Sequence, residues 1–142
     1  VGELPYAVVT VLSHDGLVRD HNEDSVVAGP WTLCAAGTLS PQTLLFPVDD
    51  PLVVAVADGL GGHPAGEHAS SLAVRHLAWA GPDLADEADV ADALSACNEE
   101  ICADAIRYPE RTGMGTTVAG VVVAERGVIV FNVGDSRVYR LD

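Results

Sequence analysis

The chain has 142 residues, is 49% hydrophobic, and sets 21 acidic side chains against 7 basic ones for a formal net charge of -14. That length accommodates one compact domain with a real core and falls short of two, while the charge repels nucleic acid and anionic membranes at long range. The longest apolar runs, 52–57 and 128–131, are far below the roughly 20 residues that span a bilayer. No basic-then-apolar leader opens the sequence, and three cysteines (Cys34, Cys97, Cys102) make neither an even set nor a paired ligand motif. A reduced, cytoplasmic setting is expected, with Cys97 and Cys102 as core or near-surface thiols.

Residues 6–12 are dense in valine and threonine on both alternate sets, which predicts a strand buried on two sides. A polar segment follows over 13–24, then short strands over 25–28 and 31–36. Residues 37–51 hold three prolines and read as a surface excursion rather than core. The apolar run 52–57 predicts a strand that ends abruptly in the glycine-rich turn Asp58-Gly59-Leu60-Gly61-Gly62. Ala69, Leu72, Ala73, Leu77 and Ala80 recur at helical spacing and predict a helix over 65–80, stopped by Gly81-Pro82. A second helix starts near Asp86 to Asp89, carries Val90, Leu94, Cys97, Ile101 and Ala105 on one face, and finishes near Arg107 to Pro109. Residues 116–124 and 128–133 form a hairpin, and Gly134-Asp135-Ser136 turns into a further strand over 137–141.

Four segments carry groups with chemical potential. Asp58 stands where an apolar strand delivers a carboxylate into a glycine-rich turn, so it needs water, donors or a cation. Gly59, Gly61 and Gly62 allow close backbone approach, and a carbonyl beside Asp58 suits a hard cation such as Mg²⁺ or Mn²⁺. A plain capping role for the following helix competes evenly with that reading. A phosphate-binding loop is disfavoured because Glu67 stands where that motif needs lysine, and the dinucleotide fingerprint fails at Pro64. The segment Arg19-Asp20-His21-Asn22-Glu23-Asp24 combines a guanidinium fork with carboxylates, as an anion site beside cations does, but taken by itself it reads first as a solvated charged loop. Asp135 lies between two strands, where aspartate and glycine are common turn residues, and Gly113-Met114-Gly115-Thr116-Thr117 suits a strand start with no chemistry of its own. His14, His21, His68 and His76 lack the spacing of a zinc site and read as surface or capping residues, whereas His63 lies beside the proposed cation site and could protonate a leaving group.

In this order, the stretches Gly16-Leu17-Val18-Arg19-x-x-Asn22-Glu23-Asp24-Ser25, Ala57-Asp58-Gly59-Leu60-Gly61-Gly62-His63, Gly113-Met114-Gly115-Thr116-Thr117 and Asn132-Val133-Gly134-Asp135-Ser136-Arg137 resemble the metal-dependent type 2C (PPM-type) serine/threonine protein phosphatases, particularly bacterial members. The resemblance implies an α+β fold, a four-layer α-β-β-α sandwich of two antiparallel sheets flanked by helix pairs, of which residues 1–142 are an incomplete, amino-terminal portion. It implies that Asp58 bridges two Mn²⁺ or Mg²⁺ ions, that the Gly59 carbonyl completes one shell, that Glu23 holds a metal-bound water, and that Arg19 binds the substrate phosphate. Asp135 matches the position that helps to hold a third, weaker ion. The implied reaction is in-line attack of a bridging water on phosphoserine or phosphothreonine. A phosphorylated protein is the implied substrate, and a cognate serine/threonine kinase a candidate partner. The alternative is a catalytically inactive relative that binds phosphorylated or regulatory partners.

Three departures from the family pattern stand out. No Asp-Asn pair occurs and the other Asp-Gly, Asp15-Gly16, lies in the first loop, so the two-metal site is not expected to be complete from these residues. Leu60 follows the Asp-Gly pair where many eukaryotic relatives carry histidine, which leaves the general acid unassigned. Residues 30–51 form a longer connection than the family's. Open strand edges and apolar faces in so partial a domain predict poor stability or self-association of residues 1–142 alone.

Overall fold

The structure, a computed structural model, describes residues 5–62 and 64–142. The elements in chain order are β1 (Tyr6–Val11), β2 (Asp24–Ala28), β3 (Trp31–Cys34), β4 (Gln42–Pro47), β5 (Leu52–Leu60), α1 (Ala65–Ala80), α2 (Glu87–Arg107), β6 (Gly115–Thr116), β7 (Val118–Ala124) and β8 (Gly127–Val133). All strand pairings are antiparallel. One sheet runs β3-β2-β5-β7-β8 with β6 added to the end of β5, and β1 pairs with β4 in a separate two-stranded sheet. The helices cover one face of the larger sheet and β1 faces the other across an open groove of about 540 Å³. This is the α+β arrangement of two antiparallel sheets and two helices that the resemblance implies.

Alternation along β5 explains the layering. Val53, Ala55 and Ala57 point to the helical side and are buried with Val27, Val122 and the α1 residues Ala69, Ala73, Val74 and Leu77. Val54 and Val56 point into the groove beside Val121 of the neighbouring β7, and Val9 and Val11 of β1 line the opposite wall. Small residues at Gly66, Ala69 and Ala73 bring α1 close to the sheet. The second helix opens on a capping box, with Asp86 Oδ1 accepting from the Ala88 and Asp89 amides and Asp89 accepting in return from the Asp86 amide. Two histidine–carboxylate contacts bridge the helices, His68 to Asp104 at 2.6 Å and His76 to Glu100 at 3.0 Å. Arg111 adds a second donor to Asp104 at 2.6 Å. Among the described residues no helix is long and apolar enough to cross a membrane. The three cysteines are free, and burial pushes the Cys97 thiol up to about 11.

Four expectations are corrected. Residues 6–12 were expected to be buried on two sides, but β1 is an edge pair whose outer face leaves Tyr6 and Val8 exposed. Part of the expected excursion over 37–51 is strand β4, where Leu44 and Phe46 alternate inward and its pairing with β1 satisfies the backbone. The strand expected to end at residue 57 continues to Leu60, because β2 pairs as far as Asp58 and β6 takes up Gly59 and Leu60; the turn begins at Gly61. Residues 137–141 form no strand, and Tyr139 and Leu141 stay exposed. Alternating apolar residues make a strand only where a neighbour takes their backbone hydrogen bonds.

Leu77 is fully buried between α1 and the sheet, so L77A should destabilise the fold by about 2–5 kcal/mol in urea denaturation. The hydrogen bond from His68, together with the Arg111 charge, holds the Asp104 carboxyl below its ordinary value of 3.8. A depressed carboxylate stabilises above its unfolded-state pKa and loses that contribution as pH falls through the folded-state value. The melting-temperature gap between wild type and D104N should therefore be full well above the ordinary carboxyl value of 3.8 and close as the pH falls below it.

Candidate functional site

The antiparallel register of β2 and β5 sets Asp24 directly opposite Asp58. Both residues are exposed on the same cleft, of about 230 Å³, which Asp15, Arg19 and Glu23 also line. Like charges directly opposite across a strand pair destabilise it. Burial, then repulsion from Asp58 and a hydrogen bond between the two carboxyls, raise the Asp24 pKa.

Glu23 is the buried member, 8% exposed, and its two oxygens differ. Oε2 accepts from Arg19 Nη1 at 3.3 Å, whereas Oε1 is buried with no hydrogen-bond partner. His21 Nε2 lies 3.7 Å from that oxygen, outside hydrogen-bonding range. The His21 ring turns instead to Asp20 at 2.8 Å, and that hydrogen bond raises its pKa. A buried orphan acceptor costs about 1–3 kcal/mol, so Glu23 Oε1 marks a place for a donor such as water. Asn22 shapes the approach: its Oδ1 accepts from the Asp24 amide and its Nδ2 donates to Ser13 Oγ, each at 2.9 Å.

Two glycines let these parts meet. A Cβ on Gly59 would stand 2.1 Å from the Gly66 carbonyl oxygen, and one on Gly66 would stand 3.0 Å from Glu23 Oε1. The start of α1 is thus pressed onto the strand end that bears Asp58. The capping alternative for Asp58 is excluded, because the N-cap position of α1 is Pro64 and no side chain caps it. Asp58 is held through its backbone: its amide donates to Thr117 Oγ1 at 3.1 Å, and its carbonyl accepts from the Thr117 amide at 2.9 Å and Thr116 Oγ1 at 3.0 Å.

Arg19 and Glu23, predicted from one segment, are brought together with Asp58 from another, and Gly59 pairs opposite Thr116. Asp135 is exposed on the turn after β8 and does not line this cleft. His63 lies outside the described residues. Sequence reasoning gave no role to Asp24 or Thr117. Asp24 was legible as an outward position at the start of a strand, but its facing residue was not. The donor set is all oxygen, with two facing carboxylates and an orphan carboxylate oxygen, and this fits a hard divalent cation with water completing its shell. Among the described residues no three His, Cys, Asp or Glu side chains converge as a ready-made metal cluster.

A model of the family described as Protein phosphatase 2C matches residues 46–142. The chain belongs to the protein phosphatase 2C family. It is 37% identical over 134 residues to the serine/threonine protein phosphatase PstP of Mycobacterium tuberculosis, covering 91% of this chain and 22% of that protein. It is 35% identical over 133 residues to the serine/threonine phosphatase stp of Listeria monocytogenes, covering 89% of this chain and 46% of that one. The solved catalytic domain of PstP in complex with two manganese ions superposes with a TM-score of 0.63 at 33% identity, covering 94% of this chain and 49% of that domain. The chain thus spans less than half the length of these phosphatases.

The Gly59–Gly66 contact has no room for a methyl group. G59A should destabilise by about 1–3 kcal/mol or more in chemical denaturation. G115A, whose added Cβ meets open space, should stay within about 0.5 kcal/mol of wild type.

Proposed function

We propose that the complete protein bearing this chain is a metal-dependent protein phosphatase acting on phosphoserine and phosphothreonine, with Mn²⁺ or Mg²⁺ as cofactor. The observation that carries the reading is the facing Asp24–Asp58 pair beside the orphan Glu23 oxygen, in a cleft that Arg19 also lines. Membership of a family whose relatives are named serine/threonine phosphatases supports it, as does the superposition on a domain holding two manganese ions.

In this reading Asp58, with the Gly59 carbonyl and Asp24 beside it, holds the ions, and Asp135 contributes to a further, weaker one. When bound, the ions supply a water of lowered pKa and neutralise charge on the phosphate. The chain's own residues do the rest. Glu23 Oε1 accepts a hydrogen bond from a water in the cleft and orients it, while Oε2 anchors Arg19. One donor of Arg19 is engaged there at 3.3 Å and its side chain is 63% exposed, which leaves the remaining fork to grip phosphate oxygens. His63 is the candidate acid for the leaving alkoxide, since Leu60 offers no proton. The substrate class implies a serine/threonine kinase as the enzyme that supplies it. The free thiols support a reducing, cytoplasmic location. The non-catalytic binding module is not favoured, because it leaves the facing carboxylates without a purpose.

D58A in the complete protein should abolish manganese-dependent phosphate release from a phosphothreonine peptide. The same change removes a cross-strand repulsion, so the metal-free protein should gain a few tenths to about 1 kcal/mol of stability. Phosphate release that survives D58A at saturating Mn²⁺ would reject the assignment.

A further inference from the structure

Thr117 occupies the one-residue break between β6 and β7 and is 4% exposed. Its amide donates to the Asp58 carbonyl at 2.9 Å and its Oγ1 accepts from the Asp58 amide at 3.1 Å, so one residue brackets both peptide groups of Asp58. The same hydroxyl meets Ser136 Oγ at 2.6 Å, beside Asp135. A hydroxyl has one proton and two lone pairs, so it serves both partners at once whichever of the two hydroxyls donates. The Thr117 methyl is engaged too. Gly134 has φ of +105°, and a Cβ there would stand 2.8 Å from Thr117 Cγ2, so the turn bearing Asp135 rests on that methyl. Asn132 Nδ2 donates to the Ser136 carbonyl and holds the turn from the β8 side.

We infer that Thr117 is a positioning residue for the metal centre: its hydroxyl fixes the backbone of Asp58 and references the Asp135 turn to it. This rests on the reading of Asp58 as a metal ligand. Two carboxylates delivered by segments 77 residues apart in sequence, positions 58 and 135, need a common reference if their spacing is to suit an ion. The bracket supplies it away from bulk water, where a hydrogen bond is strongest. A strand residue needed only for packing would require the branched shape alone, and valine has that shape. The hydroxyl is what the positioning role adds.

The test uses the complete protein, metal-free, titrated with MnCl₂ by isothermal calorimetry, with melting followed by circular dichroism. T117V should bind Mn²⁺ on the order of tenfold more weakly while still melting cooperatively, and T117S, which restores the hydroxyl, should bind as wild type does. Wild-type affinity in T117V overturns the inference, as does T117S binding as weakly as T117V. If T117V does not fold, S136A, which removes the far end of the hydroxyl pair, should weaken Mn²⁺ binding severalfold, and unchanged affinity there overturns the coupling. D58A is the control: if it binds Mn²⁺ like wild type, the metal reading itself falls. If D58A loses binding and T117V keeps it, only the role of Thr117 falls.

Discussion

Two carboxylates facing each other across a strand pair are the constraint around which the rest is arranged. Asp24 and Asp58 sit at matched positions of β2 and β5, where nothing in sheet pairing favours them and their mutual repulsion, with burial, raises the pKa of Asp24. A sheet tolerates such a pair at its end, where both side chains reach solvent and a cation can enter. Position in the strand therefore matters as much as residue type. Three residues inward, the same pair would face Ala55 and Val27, inside the apolar layers.

The second requirement is closeness. For Glu23 to stand beside the pair while α1 covers it, the helix backbone must touch the strand backbone, and it does so through Gly59 and Gly66. This contact explains why the strand runs on past Asp58. Pairing of Gly59 and Leu60 with β6 keeps the backbone extended and flat against α1, and the Gly59 amide donates to the Glu23 carbonyl at 3.1 Å. The reversal into the helix is delayed to Gly61 and Gly62, whose φ values of +116° and +72° are open to glycine at little cost.

Much of this was legible in the sequence because its period was unambiguous. The α1 pattern gave both helix ends, and the acidic run from Asp86 to Asp89 bracketed the start of α2. The hairpin of β7 and β8 was legible from its turn. What failed had a common physical origin in that strand pairing is non-local. Residues 42–47 became β4 only because β1 lay alongside, and residues 137–141 had the composition of a strand without a described partner. The site divides the same way. Arg19, Glu23, Asp58 and Asp135 were legible through motifs, but local pattern placed only Arg19 and Glu23 near each other. Asp24 and Thr117 owe their importance to register and to a hydrogen bond across 59 residues, which no window along the chain contains.

Charge completes the argument. All seven basic residues are arginines in a chain of net charge -14, so at a distance an anionic partner meets repulsion. That repulsion is short-lived, since physiological salt screens exposed charges beyond about 8 Å. Recognition is decided inside the cleft, where Arg19 is the lining guanidinium and is steadied by a buried carboxylate. An arginine cannot shed its proton as a lysine beside cations could, so it keeps its charge and its fork next to metal ions. The cleft's remaining side chains are acidic or polar, and a dianionic phosphate would be repelled by Asp24 and Asp58 unless their charge were first cancelled. On the proposed reading, cation binding and phosphate binding are thereby coupled: the same carboxylates that would hold the ions keep anions out until the ions arrive.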